Sequence, residues 1–164
     1  MILTIHTMAG IVLASNSQNI GEAIILCFVS HYFLDSIPHF EYEIKQIKSG
    51  QIKFALKNFT KVGIDLITSI LIVFWFLWGR GYEHTNLILV GVFFALLPDG
   101  LIILSYYAKN INKIPKSINI IFKFLKSHEI FHKKIHSKIS SKHTAIICQT
   151  IIIIFLIINI LFFS

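Results

Sequence analysis

Long apolar runs separated by short lysine-rich or polar stretches dominate the chain. The first run, residues 2–14, ends in the polar cluster Ser15-Asn16-Ser17-Gln18-Asn19. A spanning helix needs ~20 mostly apolar residues, so this run reads as a half-span or a tilted helix. The second run, residues 20–37, is closed by Pro38 before charge resumes at Glu41, Glu43, Lys45 and Lys48. Runs three and four, residues 62–78 and 86–107, flank the polar turn Gly79-Arg80-Gly81-Tyr82-Glu83-His84, and Trp75, Trp78 and Tyr82 suit an interfacial aromatic belt. Run five, residues 144–163, carries no charge. Between residues 51 and 61, lysines alternate with Phe54, Ala55, Leu56 and Phe59. Residues 109–142 combine many lysines with Ile118, Ile121, Phe122, Leu125, Ile130, Phe131 and Ile135 at roughly helical spacing. Both patterns predict basic amphipathic helices at headgroup level.

The predicted fold class is therefore all-α. A polytopic membrane bundle of four to five apolar helices is joined by two basic amphipathic cytoplasmic or interfacial helices, in one membrane-embedded domain over residues 1–164. Composition agrees: 55% of residues are hydrophobic and mean hydropathy is +0.73, too apolar for an ordinary soluble fold. Cys27 and Cys148 both lie inside apolar runs, which favours packing over a disulfide or thiolate metal site. No basic stretch precedes the first apolar run, so a cleaved signal peptide is not expected. The formal charge of +7 comes from lysines flanking the spans, without the aromatic-interleaved stripe of an RNA binder. Membrane lipids with anionic headgroups are the expected partner, nucleic acid is not, and protein partners are left open.

Cytoplasmic loops retain Lys and Arg. Five lysines lie between residues 41 and 61 and many more between 109 and 142, against Arg80 alone in the turn after Trp78. The expected location is a cell inner or plasma membrane, multi-pass, with the lysine-rich loops cytoplasmic. Five crossings put the N-terminus inside, whereas a re-entrant first segment puts it outside.

The three aspartates, Asp35, Asp65 and Asp99, all fall within or at the end of apolar runs, where ionisable groups are costly and usually functional. His31 and Asp35 are four apart and share a helix face, with His39 four further on. His128, His132 and His136 also recur every four residues, the spacing of paired metal ligands. By topology His31, Asp35, His39 and Asp65 lie at the inner ends of their spans, and Asp99 lies ~15 Å from Lys109 at 1.5 Å per residue. His6 lies near the N-terminus, so five segments can converge on the cytoplasmic face. Imidazoles and carboxylates without thiolates suit a divalent metal, Zn²⁺ first and Mn²⁺ or Fe²⁺ next, and the candidate number allows two ions. Such centres hydrolyse phosphoesters or amides, with Asp65 or Glu129 as the candidate general base.

Bland readings stand beside these. His6 also fits an interfacial residue, the Asp35 group a hydrogen-bond network around Pro38, and the late histidines contacts to lipid phosphate. Asp65 and Asp99 also fit structural links between helices. A non-catalytic scaffold, or a protein handling protons or metal ions, is the alternative function. The outer half offers only Glu22 and Glu83, which favours a one-sided site over a conduit.

His6 with Gly10, His31 with Asp35, Pro38 and His39, then Leu97-Pro98-Asp99, and finally His132 and His136 form a pattern across most of the chain. It resembles bacterial membrane-bound metal-dependent hydrolases. Gly100-Leu101 follows Leu-Pro-Asp here, where the related inner-membrane hydrolases carry a second Asp and a His. The resemblance implies a hydrolytic centre with His6, His31, Asp35, His39, Asp99, His132 and His136 as metal ligands. A more distant likeness to all-helical zinc-dependent phospholipases and nucleases implies a phosphoester substrate, here a lipid one.

Overall fold

The computed structural model describes residues 2–39, 52–82, 84–108, 119–135 and 141–162, without the side chains of 52–59, 106–108 and 119. Six helices form: α1 (Leu3–Ser15), α2 (Ile20–Ser36), α3 (Ile52–Phe74), α4 (Thr85–Ala108), α5 (Asn119–Ile135) and α6 (Lys142–Phe162), and a π-helical turn, Trp75–Gly79, prolongs α3. No strand forms among the described residues.

Local signals set the helix ends. Asn19 caps α2 by accepting from the Glu22 amide at 3.0 Å, while the Glu22 carboxylate reaches back to the Gln18 amide at 2.8 Å, close to a capping box. Ser141 accepts from the Thr144 amide at 3.1 Å at the start of α6. Pro38 forces its predecessor out of helical geometry, and Ile37 is indeed extended at the end of α2. At the other end of α6, Arg80 donates to the carbonyl of Ile160 and, at 2.9 Å, to that of Leu161, placing a cation on the negative end of the helix.

Three helical segments are long and apolar enough to cross a membrane: Thr60–Gly79, Thr85–Ser105 and Lys142–Phe162. Their apolar side chains face largely outward, as Ile64, Ile67, Leu71, Phe93, Ile151 and Phe155 do, which is the exposure pattern of a membrane protein. The five apolar runs are thus unequal. α1 has only 13 residues, about 20 Å at 1.5 Å per residue, and α2 carries Glu22, His31 and Asp35. The lysine-bearing stretch from Ile52 also differs from expectation, because it continues unbroken into α3 and makes no separate surface helix.

α1 is the axis of the bundle. Residues Ile5 to Val12 are all buried, and α2, α3, α4 and α6 pack around it. Helices in lipid gain little from hydrophobic exclusion of one another and rely on close contact of small residues. Two Gly-x-x-x-Ala pairs provide it, Gly10 with Ala14 on α1 and Gly91 with Ala95 on α4. A Cβ added to Gly91 would lie 2.4 Å from Ala14 Cβ, and one added to Gly10 would lie 3.0 Å from Val92 Cα. The same crossing admits α2, whose Cys27 Sγ would be 3.1 Å from a Gly91 Cβ.

The chain alternates between two ends. Asp65, early in α3, meets the first residues of α1, whereas Tyr82 donates to the Ser15 carbonyl at 2.9 Å at the other end. α5 packs against α4 and α2 beside the Asp65 end. Its inward stripe is Leu125, His128, Glu129 and His132. Ile120, Phe124 and Phe131 are exposed on one flank and Lys123, Lys126, Lys133 and Lys134 on another.

Candidate metal centre

At the end of the bundle where α1 begins and α2 finishes, side chains from four helices converge on Asp35. α2 contributes His31 and Asp35 one turn apart, with His39 just beyond Pro38. α1 contributes His6, α4 contributes Asp99, and α5 contributes His132. His6 and His31 are fully buried and Asp35 and His39 are 1% exposed. The Asp99 side chain, 30% exposed, is the open side of the group.

The distances are those between ligands of a shared ion. His31 Nε2 lies 3.2 Å from Asp35 Oδ2, 3.6 Å from Asp99 Oδ1 and 3.3 Å from His132 Nε2. His132 Nε2 lies 2.9 Å from Asp35 Oδ2. A tetrahedron with bonds of about 2.0–2.1 Å has edges of about 3.3 Å. One ligand atom from each of His31, Asp35, Asp99 and His132 lies within 4.8 Å of all the others.

Second contacts decide which nitrogen is offered. His31 Nδ1 donates to the Ala95 carbonyl at 2.8 Å, and His39 Nδ1 donates to that of Ile37 at 2.7 Å. A carbonyl only accepts, so both Nδ1 atoms carry a hydrogen, and in a neutral imidazole Nε2 is then the nitrogen with the lone pair. Pro98, which lacks the N–H that would pair with the Phe94 carbonyl, lies in the same stretch of α4 as Ala95. Nε2 of His31 thus faces carboxylate oxygens of Asp35 and Asp99. A proton can bridge two of these atoms, whereas a divalent cation satisfies four at once.

Beside this group Tyr32 Oη lies 2.8 Å from His128 Nε2. Burial first, and then the neighbouring His132 and His31, hold His128 below the ordinary imidazole range, which keeps it neutral near pH 7. Sequence spacing put His128 on the stripe of His132, but Tyr32 was not singled out. Its position between His31 and Asp35 was the available signal.

The structure brings His6, His31, Asp35, His39, Asp99 and His132 together. His136 lies outside the described residues. Asp65 sits elsewhere: its carboxylate accepts from the Leu3 amide at 2.7 Å, the Thr4 amide at 3.0 Å and the Thr4 hydroxyl, so it caps α1 from another helix. Glu129 accepts from Ser105 Oγ at 2.9 Å and pairs with Lys133, anchoring α5 to α4. Neither carboxylate belongs to the four-ligand group.

No family model, curated protein or solved structure matches this chain. Its chemistry is therefore read from its own residues.

Proposed function

We propose that the chain is a membrane-bound metal-dependent hydrolase whose His and Asp side chains hold a divalent ion, zinc first, and whose substrate is a lipid phosphoester. The observation that carries this reading is the four-atom group of His31, Asp35, Asp99 and His132, supplied by three helices and backed by a locked His31 tautomer. The likeness of its motifs to bacterial membrane-bound metal-dependent hydrolases points the same way.

When bound, a divalent ion lowers the pKa of a coordinated water to about 7 and polarises a phosphoryl oxygen. The chain's own residues supply the rest. Asp99 leaves the site open on one side, and His128, hydrogen-bonded to Tyr32 beside the group, is the imidazole we assign to take up a proton. Asp65 and Glu129, engaged in helix contacts, are poorly suited to the general-base role.

Two features favour a lipid. α3 and α4 both pack on α1 and leave between them an apolar groove of about 280 Å³ lined by Leu66, Val73, Val92 and Leu96, with Thr7 and Ser69. An acyl chain is the kind of ligand that such a lining would take. The exposed lysines of α5 supply cations beside anionic headgroups. By the positive-inside rule the site then faces the cytoplasm of a plasma or inner membrane.

The test is metal content by mass spectrometry on detergent-purified protein, followed by phospholipid hydrolysis in mixed micelles. Stoichiometric metal in wild type, lost in His31→Ala, Asp99→Ala and His132→Ala with folding retained, is the expected result. A well-folded wild type that stays metal-free after reconstitution sinks the hydrolase and leaves the scaffold or proton-handling reading.

A further inference from the structure

Asp35 turns its two oxygens toward two different sets of imidazoles. Oδ2 faces Nε2 of His31 at 3.2 Å and of His132 at 2.9 Å. Oδ1 faces Nε2 of His6 at 3.2 Å and of His39 at 3.9 Å. The four-ligand group accounts for neither His6 nor His39, although both are buried against the same carboxylate.

We infer that Asp35 bridges two divalent ions, the second seated by His6, His39 and Asp35 Oδ1. This rests on the metal-centre reading above and deepens it from one ion to two.

Four observations support the second seat. His39 has its hydrogen fixed on Nδ1 by the Ile37 carbonyl, which leaves Nε2 as the coordinating nitrogen, as for His31. His6 is fully buried, and its Nε2 lies 3.2 Å from Asp35 Oδ1, the oxygen turned away from His31 and His132. The His6 and His31 rings stack with centroids 4.1 Å apart and planes 23° apart. The stack sets the two imidazoles side by side over the two oxygens of Asp35. Finally, the elements divide the work around the shared Asp35: α1 and the segment after α2 serve one seat, and α4, α5 and His31 of α2 the other.

The charge balance bears on the substrate. Two dications against the single charges of Asp35 and Asp99 leave a surplus of positive charge in a buried site, which suits an anionic phosphoester better than a neutral amide. The second seat has three protein ligands, so positions remain open for water and a substrate oxygen, as in catalytic sites generally.

Full-length protein in detergent, stripped with a chelator, is titrated with Mn²⁺ while bound equivalents are counted and the spin-resonance spectrum is recorded. Two equivalents with an exchange-coupled spectrum are expected in wild type. His6→Asn and His39→Gln should each leave one equivalent and the six-line spectrum of an isolated ion. One uncoupled equivalent in wild type overturns the bridge while leaving the single-ion centre standing, and no bound Mn²⁺ overturns both. Two equivalents retained in both variants overturn the assigned ligands. The wild-type titration decides even if a variant does not fold.

Discussion

Asp35 and Asp65 are both buried, at 1% and 6% exposure, at the same end of the same bundle, yet their neighbours differ in kind. Asp65 is surrounded by donors: two backbone amides and a hydroxyl at the start of α1, where the helix dipole is also favourable. That carboxylate is complete as it stands. Asp35 is surrounded by imidazoles, and His31 and His39, each with Nδ1 tied to a backbone carbonyl, turn Nε2 toward it. That carboxylate belongs to a group that could hold a cation. Depth in the membrane does not separate a structural aspartate from a ligand; the hydrogen inventory around it does.

The largest effects should separate the two residues cleanly. Asp35→Asn is expected to abolish stoichiometric metal in protein that still folds. Asp65→Ala is expected to do the reverse. It strands the Leu3 and Thr4 amides, at a cost of about 1–3 kcal/mol, and should lower the melting temperature with metal per folded chain unchanged. Metal analysis and thermal unfolding in one detergent read both. Equal metal loss in the two variants would erase the distinction.

A similar cost is expected far from either carboxylate. Gly91→Ala drives a methyl into Ala14 at 2.4 Å, between helices that cannot separate without opening the α1–α4 crossing. Overpacking of this kind costs about 1–3 kcal/mol. Because α4 also presents Ala95 to His31, some metal affinity should be lost too, unlike in Asp65→Ala. An unchanged melting temperature would show that the crossing is looser than its glycines imply.

Much of this was legible in the chain and some was not. Runs of Ile, Leu and Phe announce helices because lipid leaves the backbone no other partner, and the i,i+4 spacing of His31 and Asp35 foretells their shared face, 3.2 Å apart in the structure. The unbroken helix through residues 52–61 was hidden because lysines there imitate a surface segment. The capping role of Asp65 was hidden more deeply. Its partners are backbone amides 61 and 62 residues away, and backbone leaves no mark in sequence. Gly91 reads as an isolated glycine, and Gly10 only as a companion of His6, until the helices that carry them are seen to cross.

The smallest effect is expected at Ser105, and it tests whether α5 matters only through His132. Ser105 Oγ donates to Glu129 at 2.9 Å, one of the ties holding α5 on α4. Glu129 keeps Lys133 when that hydroxyl is removed, so Ser105→Ala should cost about 1 kcal/mol, an ordinary hydrogen bond. Support of a ligand from outside the coordination shell is typically worth ~10–100-fold in metal affinity, and the low end is expected here. The α1 cap at Asp65 should feel nothing. Since α5 delivers His132 alone among the four grouped ligands, Ser105→Ala should weaken metal binding in wild type but not on top of His132→Ala, a coupling that a double-mutant cycle measures directly. Equal weakening in both backgrounds would mean that α5 shapes the centre by some route other than the one imidazole it carries into it.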